Sequence, residues 1–294
     1  MRRRLLSQTC IAILGDLHGH ITLAYRLLKR WEIEHDQVFS AIFQVGDFGA
    51  YPPPFRADKA TMRFYEKDPD ELSFVDYHLG SEEADEVLGE NALPHRRISA
   101  DLFFIKGNHE DFAYLEGLQG PGNDPPRVDV HGRIFYLGSG TVHAIQAGPH
   151  EIRVAGLGGV SRNGHGSTGG SQYYSRAEYR RLCAEGSGAD LFLTHEPPFD
   201  TVYADAGSKD ILEYIREYKP RLHFCGHYHE DGGELEVPGE TRSFILNEVN
   251  FRKPSRLNPG CIAILKISDS GEFQVEILDD DWLQDYRRNN FRDL

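Results

Sequence analysis

Seven residues able to bind metal (Asp16, His18, Asp47, Asn108, His195, His227 and His229) and one able to donate a proton (His109) fall in five short motifs. In chain order these are Gly15-Asp16-Leu17-His18-Gly19, Gly46-Asp47, Gly107-Asn108-His109-Glu110, Thr194-His195 and Gly226-His227-Tyr228-His229. Carboxylates and imidazoles, with one amide oxygen, can hold two divalent ions close enough to share a bridging hydroxide, which is chemistry suited to hydrolysis. A lone histidine at a strand end is more often a hydrogen-bonded structural residue, and of the 14 histidines His20, His35, His78, His95, His131, His143, His150 and His223 match no motif. Asp16 and Asp47 taken singly could be helix N-caps, and Asn108 a turn residue. In the motif positions each reading supports the others.

The elements that must position these groups are legible around them. Cys10 to Leu14, Ala41 to Val45, Leu102 to Ile105, Leu191 to Leu193 and Leu222 to Cys225 are short apolar runs. Such runs fit buried strands of an α/β sheet better than helices. Ligands gather at the carboxyl edge of such sheets, so motifs spanning more than two hundred residues are expected to converge. Gly15, Gly46, Gly107 and Gly226 precede the first ligand of their motifs, where the chain must turn sharply and pass close to an ion. After Gly19 a helix is expected to about Glu32, with Leu23, Leu27 and Leu28 on one face. Its first amides could face an anionic site.

The series Asp-x-His, Gly-Asp, Gly-Asn-His-(Asp/Glu), a later His and Gly-His-x-His resembles the calcineurin-like metallophosphoesterase superfamily, over about Ile11 to Gly260. The resemblance implies an α/β fold, a layered β-sandwich of two mixed sheets flanked by helices. It implies one metal on Asp16, His18 and His229, a second on Asn108, His195 and His227, and Asp47 bridging them. It further implies in-line attack of a metal-bridging hydroxide on phosphorus, with His109 as general acid for the leaving oxygen. Glu110 or Asp111 would orient that imidazole. Mixed oxygen and nitrogen ligands suit Mn²⁺ or an Fe/Mn pair, with Zn²⁺ or Co²⁺ as alternatives.

Length and composition agree with such an enzyme. The 294 residues are within reach of one large α/β catalytic domain, and 39% hydrophobic with 27% charged content describes a globular chain. No apolar stretch approaches the roughly 18 residues of a membrane span. Met1 to Leu6 imitates the opening of a signal peptide, but the sequence runs directly into Asp16 and His18, so a cytoplasmic location is expected. The four cysteines lack Cys-x-x-Cys spacing, and no disulfide is expected. A net charge of −14 disfavours nonspecific binding of nucleic acid.

Three further segments bear on the site. Residues 51–100 form an acidic, partly helical insertion, with helical signals at Thr61 to Lys67 and Asp70 to Leu79 and ten carboxylates between Glu66 and Glu90. It is a candidate lid or substrate-selecting element, or equally a peripheral helical pair. Gly156 to Gly170 is a glycine-rich loop in which Arg162 and His165, with Glu110 elsewhere, are candidate substrate contacts. From Ser243 the chain alternates in a way that suggests strands completing a second sheet, and residues 279–294 read as a short helix or tail.

Several substrates fit this pattern. A phosphodiester or nucleotide-type ester is expected; a phosphomonoester or phosphoprotein is an alternative. The layout from Gly107 to His229 is also similar to RNA lariat debranching enzymes, although many of those carry Cys where this chain has Asp16. Such a nucleic-acid phosphodiesterase would need a basic groove, for which Arg96, Arg97, Arg252, Lys253 and Arg256 are the available cations. A noncatalytic scaffold is the remaining class, and a degraded ligand set would signal it. Protein partners are not legible.

Overall fold

The computed structural model describes residues 8–118, 124–185, 187–252 and 256–294; the opening Met1 to Leu6 and the cation Lys253 lie outside them. Two mixed six-stranded sheets are flanked by helices. In chain order the strands are β1 (Thr9–Leu14), β2 (Phe39–Gln44), β3 (Leu102–Phe104), β4 (Ile134–Tyr136), β5 (Thr141–Ala147), β6 (His150–Leu157) and β7 (Leu191–Thr194). They continue with β8 (Leu222–Cys225), β9 (Gly233–Leu235), β10 (Arg242–Ile245), β11 (Phe251–Arg252), β12 (Arg256–Leu257), β13 (Ile262–Ile267) and β14 (Phe273–Ile277). The first sheet runs β14-β13-β1-β2-β3-β4 and the second β5-β6-β7-β8-β10-β9. β1 to β4 are mutually parallel, as are β6, β7, β8 and β10.

Side-chain alternation decides which layer each residue joins. In β1, Ile11 and Ile13 enter the core between the sheets, where they meet Phe43, Val154, Leu193 and Phe224. Ala12 and Leu14 point the other way, into a second core under the helix α1 (Ile21–His35), with Leu23, Leu27 and Trp31. The outer face of the second sheet is closed by α6 (Arg176–Glu185) and α7 (Lys209–Tyr218), through Leu182, Ile211 and Tyr214 against Leu157 and Phe192. Ile13 is 0% exposed, so truncating it to alanine would cost about 2–5 kcal/mol.

One expectation is corrected. The C-terminal strands do not all join the second sheet: β13 pairs antiparallel with β1, from Thr9 opposite Ile267 to Leu14 opposite Ile262, and β14 pairs with β13. Only β10 enters the second sheet, parallel to β8. The alternating pattern correctly marks half-buried strands, but it is equally compatible with either sheet edge.

Residues 51–100, expected from the sequence to be an insertion, contain α2 (Lys59–Tyr65), a 3₁₀ turn (Pro69–Leu72), α3 (Phe74–Leu79) and α4 (Glu82–Leu88). Asp58 caps α2 by accepting from the Ala60 and Thr61 amides, and Ser81 caps α4 at Ala84. Phe74, Tyr77, Ala84, Val87 and Leu88 are buried in the core they share with α1. The Tyr77 hydroxyl lies 2.8 Å from Thr22 Oγ1, and the acidic outer face meets Arg26 through Glu86 at 2.7 Å. The chain's end returns to this surface: Tyr286 and Phe291 are buried, Arg288 pairs with Asp68, and Arg292 pairs with Asp70 and Glu83. Helix α5 (Phe112–Leu118) follows the third motif, and a 3₁₀ turn at Asp281–Asp285 lies in the C-terminal segment.

Candidate metal centre

The five motifs leave five strands at one edge of the sandwich. Asp16 and His18 follow β1, Asp47 follows β2 and Asn108 follows β3 in the first sheet; His195 follows β7, and His227 and His229 follow β8 in the second. Parallel strands deliver all of them to the same, carboxyl, edge.

There the donor atoms converge. Asp16 Oδ2 is 3.0 Å from His229 Nε2, and His18 Nε2 is 3.5 Å from the same nitrogen. Asp47 Oδ2 is 3.6 Å from His18 Nε2 and 3.4 Å from His195 Nε2, and so lies between the two halves of the cluster. His195 Nε2 is 2.9 Å from Asn108 Oδ1 and its Nδ1 is 3.8 Å from Asp16 Oδ1. The His195 and His227 rings are 4.9 Å apart. Asp16, His18 and His229 have donor atoms within 4.8 Å of one another, as do Asp16, Asp47 and His195. Asp16 and His195 are 0% exposed and Asp47 2%, a concentration of buried oxygen and nitrogen donors that fits divalent cations.

The local electrostatics carry the same message. Burial would raise the Asp47 carboxyl, but His195, His18 and His109 around it hold it well below the usual carboxylate range. Burial would lower His195, yet Asp47 and Asp16 push it up to about 9; Asp16 and Glu248 do the same for His229, also to about 9. His227 falls to about 4 through burial and the neighbouring His195, against the pull of Asp16 and Asp47. The carboxylates thus draw positive charge into the cluster.

Backbone geometry shows how closely the loops are fitted. His18, Asp47, His227 and His229 have φ of 43°, 52°, 76° and 51°, left-handed conformations that are uncommon outside glycine. Such residues cost on the order of 1–3 kcal/mol each and persist only where surrounding contacts over-determine them. At Gly107 a β-carbon would collide with Asp47 Oδ1, and at Gly226 with Asp16 Oδ1. Both glycines are therefore needed for the neighbouring loop to reach the carboxylates.

Two expectations about the third motif are corrected. Glu110 does not face a substrate: it is 4% exposed, and its carboxylate accepts from the amides of Phe48 at 2.8 Å, Gly49 at 3.1 Å and Ala50 at 2.7 Å, with Gly107 at 3.4 Å. It ties the Asp47 loop to the Asn108 loop. Nor does Glu110 or Asp111 orient His109. Asp111 pairs with Arg56 at 2.9 Å, whereas His109 Nδ1 lies 2.9 Å from Asp58 Oδ2. Residues so far apart in sequence carry no local signal of this contact; Asp58 is legible there only as a helix cap. Glu248 is a further member of the site that the motifs do not mark: its Oε2 is 3.7 Å from His229 Nδ1, and Asn258 Nδ2 holds its Oε1 at 3.1 Å.

The remaining candidates have protein partners. His165 Nδ1 is 2.6 Å from Asp210 Oδ1, and Arg162 lies over the Tyr173 ring at 6.0 Å. Of the basic-groove residues, Arg96 pairs with Glu86 and Arg252 with Asp231, each at 2.5 Å. Arg96 moreover lines a cleft with Glu82, Asp85, Glu86 and Glu90, an unfavourable setting for a polyanion. His20, Asp68 and Asp70 form another donor group, but Arg288 and Arg292 already neutralise its carboxylates.

Fold and donor set together define a metallophosphoesterase. The calcineurin-like phosphoesterase family model matches residues 10–231, and the chain belongs to that family. It is 26% identical over 316 residues to a lariat debranching enzyme of Arabidopsis thaliana, an alignment covering 95% of this chain and 68% of that protein. Among solved structures it is similar to TT1561 of Thermus thermophilus, with a TM-score of 0.51 and 13% identity, covering 92% of this chain and 99% of that one. A further solved chain gives a TM-score of 0.54 at 15% identity, covering 93% and 100%. No helix among the described residues is long and apolar enough to cross a membrane.

Proposed function

We propose that this protein hydrolyses a phosphodiester or nucleotide-type phosphoester at a centre for two divalent metals. The carrying observation is the position of Asp47, whose Oδ2 lies between His18 at 3.6 Å and His195 at 3.4 Å, as a bridging carboxylate requires. Asp16, His18 and His229 would hold one ion; Asn108, His195 and His227 the other. When bound, the ions supply a hydroxide nucleophile near neutral pH and neutralise non-bridging phosphate oxygens. Mn²⁺ or an Fe/Mn pair suits the donors, with Zn²⁺ or Co²⁺ as alternatives.

His109 is the proposed general acid. Its Nδ1–H donates to Asp58, which leaves Nε2–H free to protonate the departing alkoxide. Asp58 stays ionised and so can hold that proton in place, because His109 and Thr61 bring its carboxyl down to about 2 although partial burial opposes its ionisation. Asp47 Oδ1 also accepts the His109 amide at 2.7 Å, fixing the acid's backbone to the proposed bridging ligand.

A nucleic-acid phosphodiesterase is the second reading, favoured by the similarity to a lariat debranching enzyme along 95% of the chain and opposed by the charge of −14. The deciding experiment uses metal-stripped protein reconstituted with Mn²⁺, a monoester and a diester of the same chromogenic alcohol, and Asp47→Asn as control. Diester turnover lost in the variant supports the proposal. Monoester preference turns the search to phosphatases, and no turnover of either by metal-loaded protein removes it.

A further inference from the structure

The rings of the cluster have a spatial order. His109 sits 5.8 Å from His18, which sits 5.4 Å from His229; on the opposite side His195 is 4.9 Å from His227, which is 5.0 Å from Tyr228. The proposed acid thus lies at the His18 end, beside the insertion. At the Tyr228 end is a cavity of about 400 Å³, lined by Ser161, Asn163, Glu196, Phe199, Lys209 and Tyr228 among others. It borders the centre through Tyr228, which lines the cavity while its ring lies 5.0 Å from that of His227.

The lining specifies what would bind. Lys209 Nζ rests 4.7 Å from the centroid of the Phe199 ring and has no carboxylate partner among the described residues. Glu196 is 6% exposed, and its Oε2 accepts the Ser161 amide at 2.6 Å, which fixes its carboxyl in the wall. Asn163 holds a left-handed φ of 57° at the tip of the hairpin in which Arg162 and His165 pair. The lining therefore combines one cation, the Asn163 amide and the carboxyl groups of Glu196 and Asp205 with two aromatic rings, a set suited to a hydroxylated sugar carrying a ring and unsuited to an acyl chain. The volume lies within the roughly 300–1,000 Å³ of small-molecule sites and far exceeds the needs of a methyl group.

Resting on the phosphodiesterase reading above, we infer that this cavity receives the retained substituent of the diester, a sugar-bearing group, while the leaving alcohol departs toward His109. The two ends of the centre then divide the substrate. The retained arm binds at Lys209, Asn163 and Glu196, and the departing arm meets the acid and the insertion. A monoester would leave the cavity empty.

The test holds the leaving group constant and varies only the retained arm. Methyl p-nitrophenyl phosphate and thymidine 5′-(p-nitrophenyl phosphate) are compared by kcat/KM on Mn²⁺-loaded protein, with Lys209→Ala and Asn163→Gly, glycine being chosen for the left-handed backbone. The expected result is a preference for the thymidine ester on the order of tenfold or more, since remote binding energy can be used at the reacting centre, with the ratio falling toward one in both variants. A wild-type ratio near one, or a ratio that survives both substitutions, overturns the assignment of the cavity and leaves the phosphodiesterase reading standing. Failure to turn over either diester overturns both.

Discussion

His109 Nδ1 lies 2.9 Å from Asp58 Oδ2, a contact between the third motif and the residue that begins α2 of the insertion. Asp58 also accepts from Thr61 Oγ1 at 2.8 Å and from the Tyr51 hydroxyl at 3.3 Å. One carboxylate thus caps a helix, anchors the start of the insertion and receives the imidazole.

Asp58→Asn should therefore slow the enzyme through proton donation. Removal of a general acid costs typically about 10²- to 10⁴-fold, and loss of its positioning carboxylate is expected to cost less, on the order of tenfold in kcat. The loss should grow as the leaving alcohol becomes more basic and shrink for p-nitrophenol. An equal effect across a leaving-group series would show that Asp58 acts only through folding of the insertion.

Metal content links Asp47 to stability as well as to turnover. Protein loaded with Mn²⁺ should bind two equivalents, and Asp47→Asn measurably fewer, by elemental analysis. Chelation should lower the melting temperature, since a ligand held at 100 times its dissociation constant stabilises the fold by about 2.7 kcal/mol per site. Equal stoichiometry in the two proteins would exclude a bridging role.

Gly107→Ala tests the fit between the Asp47 and Asn108 loops. The new methyl would meet Asp47 Oδ1, and the backbone must retreat. Overpacking of this kind costs about 1–3 kcal/mol, and metal affinity should fall with it. A variant with native stability and native metal content would show the contact to be relaxed.

His223 predicts a pH dependence away from the metal cluster. It is fully buried between Thr194 Oγ1 at 2.8 Å and Ser243 Oγ at 2.6 Å, and burial pushes it from 6.5 down to about 3. The folded chain resists the proton that the unfolded chain accepts. The associated stability is thus complete above pH 6.5 and is lost progressively as pH falls toward about 3. By pH 5 the loss is roughly 2 kcal/mol. In denaturant titrations His223→Gln should lose less stability than the wild type between pH 7 and pH 5, whatever its stability at neutrality; parallel curves would refute the assignment.

The ligand types, their order and the strands that carry them are legible in the sequence because they are local. Alternation assigns Ile11 and Ile13 to one face of β1 and Ala12 and Leu14 to the other, and a short apolar run ending at Gly15 or Gly46 announces a strand that stops at an edge. Nothing local distinguishes Asp58 or Ser81, both helix caps, as the one that reaches His109. Glu110 likewise reads as available for substrate, because only the folded approach of the Phe48–Ala50 amides shows that its oxygens are already taken. The C-terminal strands are recognisable as strands, but their pairing with β1 depends on a ladder formed across some 250 residues of intervening chain. A phosphoesterase donor set on α/β strands is therefore written into the order of residues, since motif spacing and periodicity act between neighbours. Which carboxylates face imidazoles, which face amides and which face the cavity beside Tyr228 emerges only on folding, since those choices follow from close packing between distant segments.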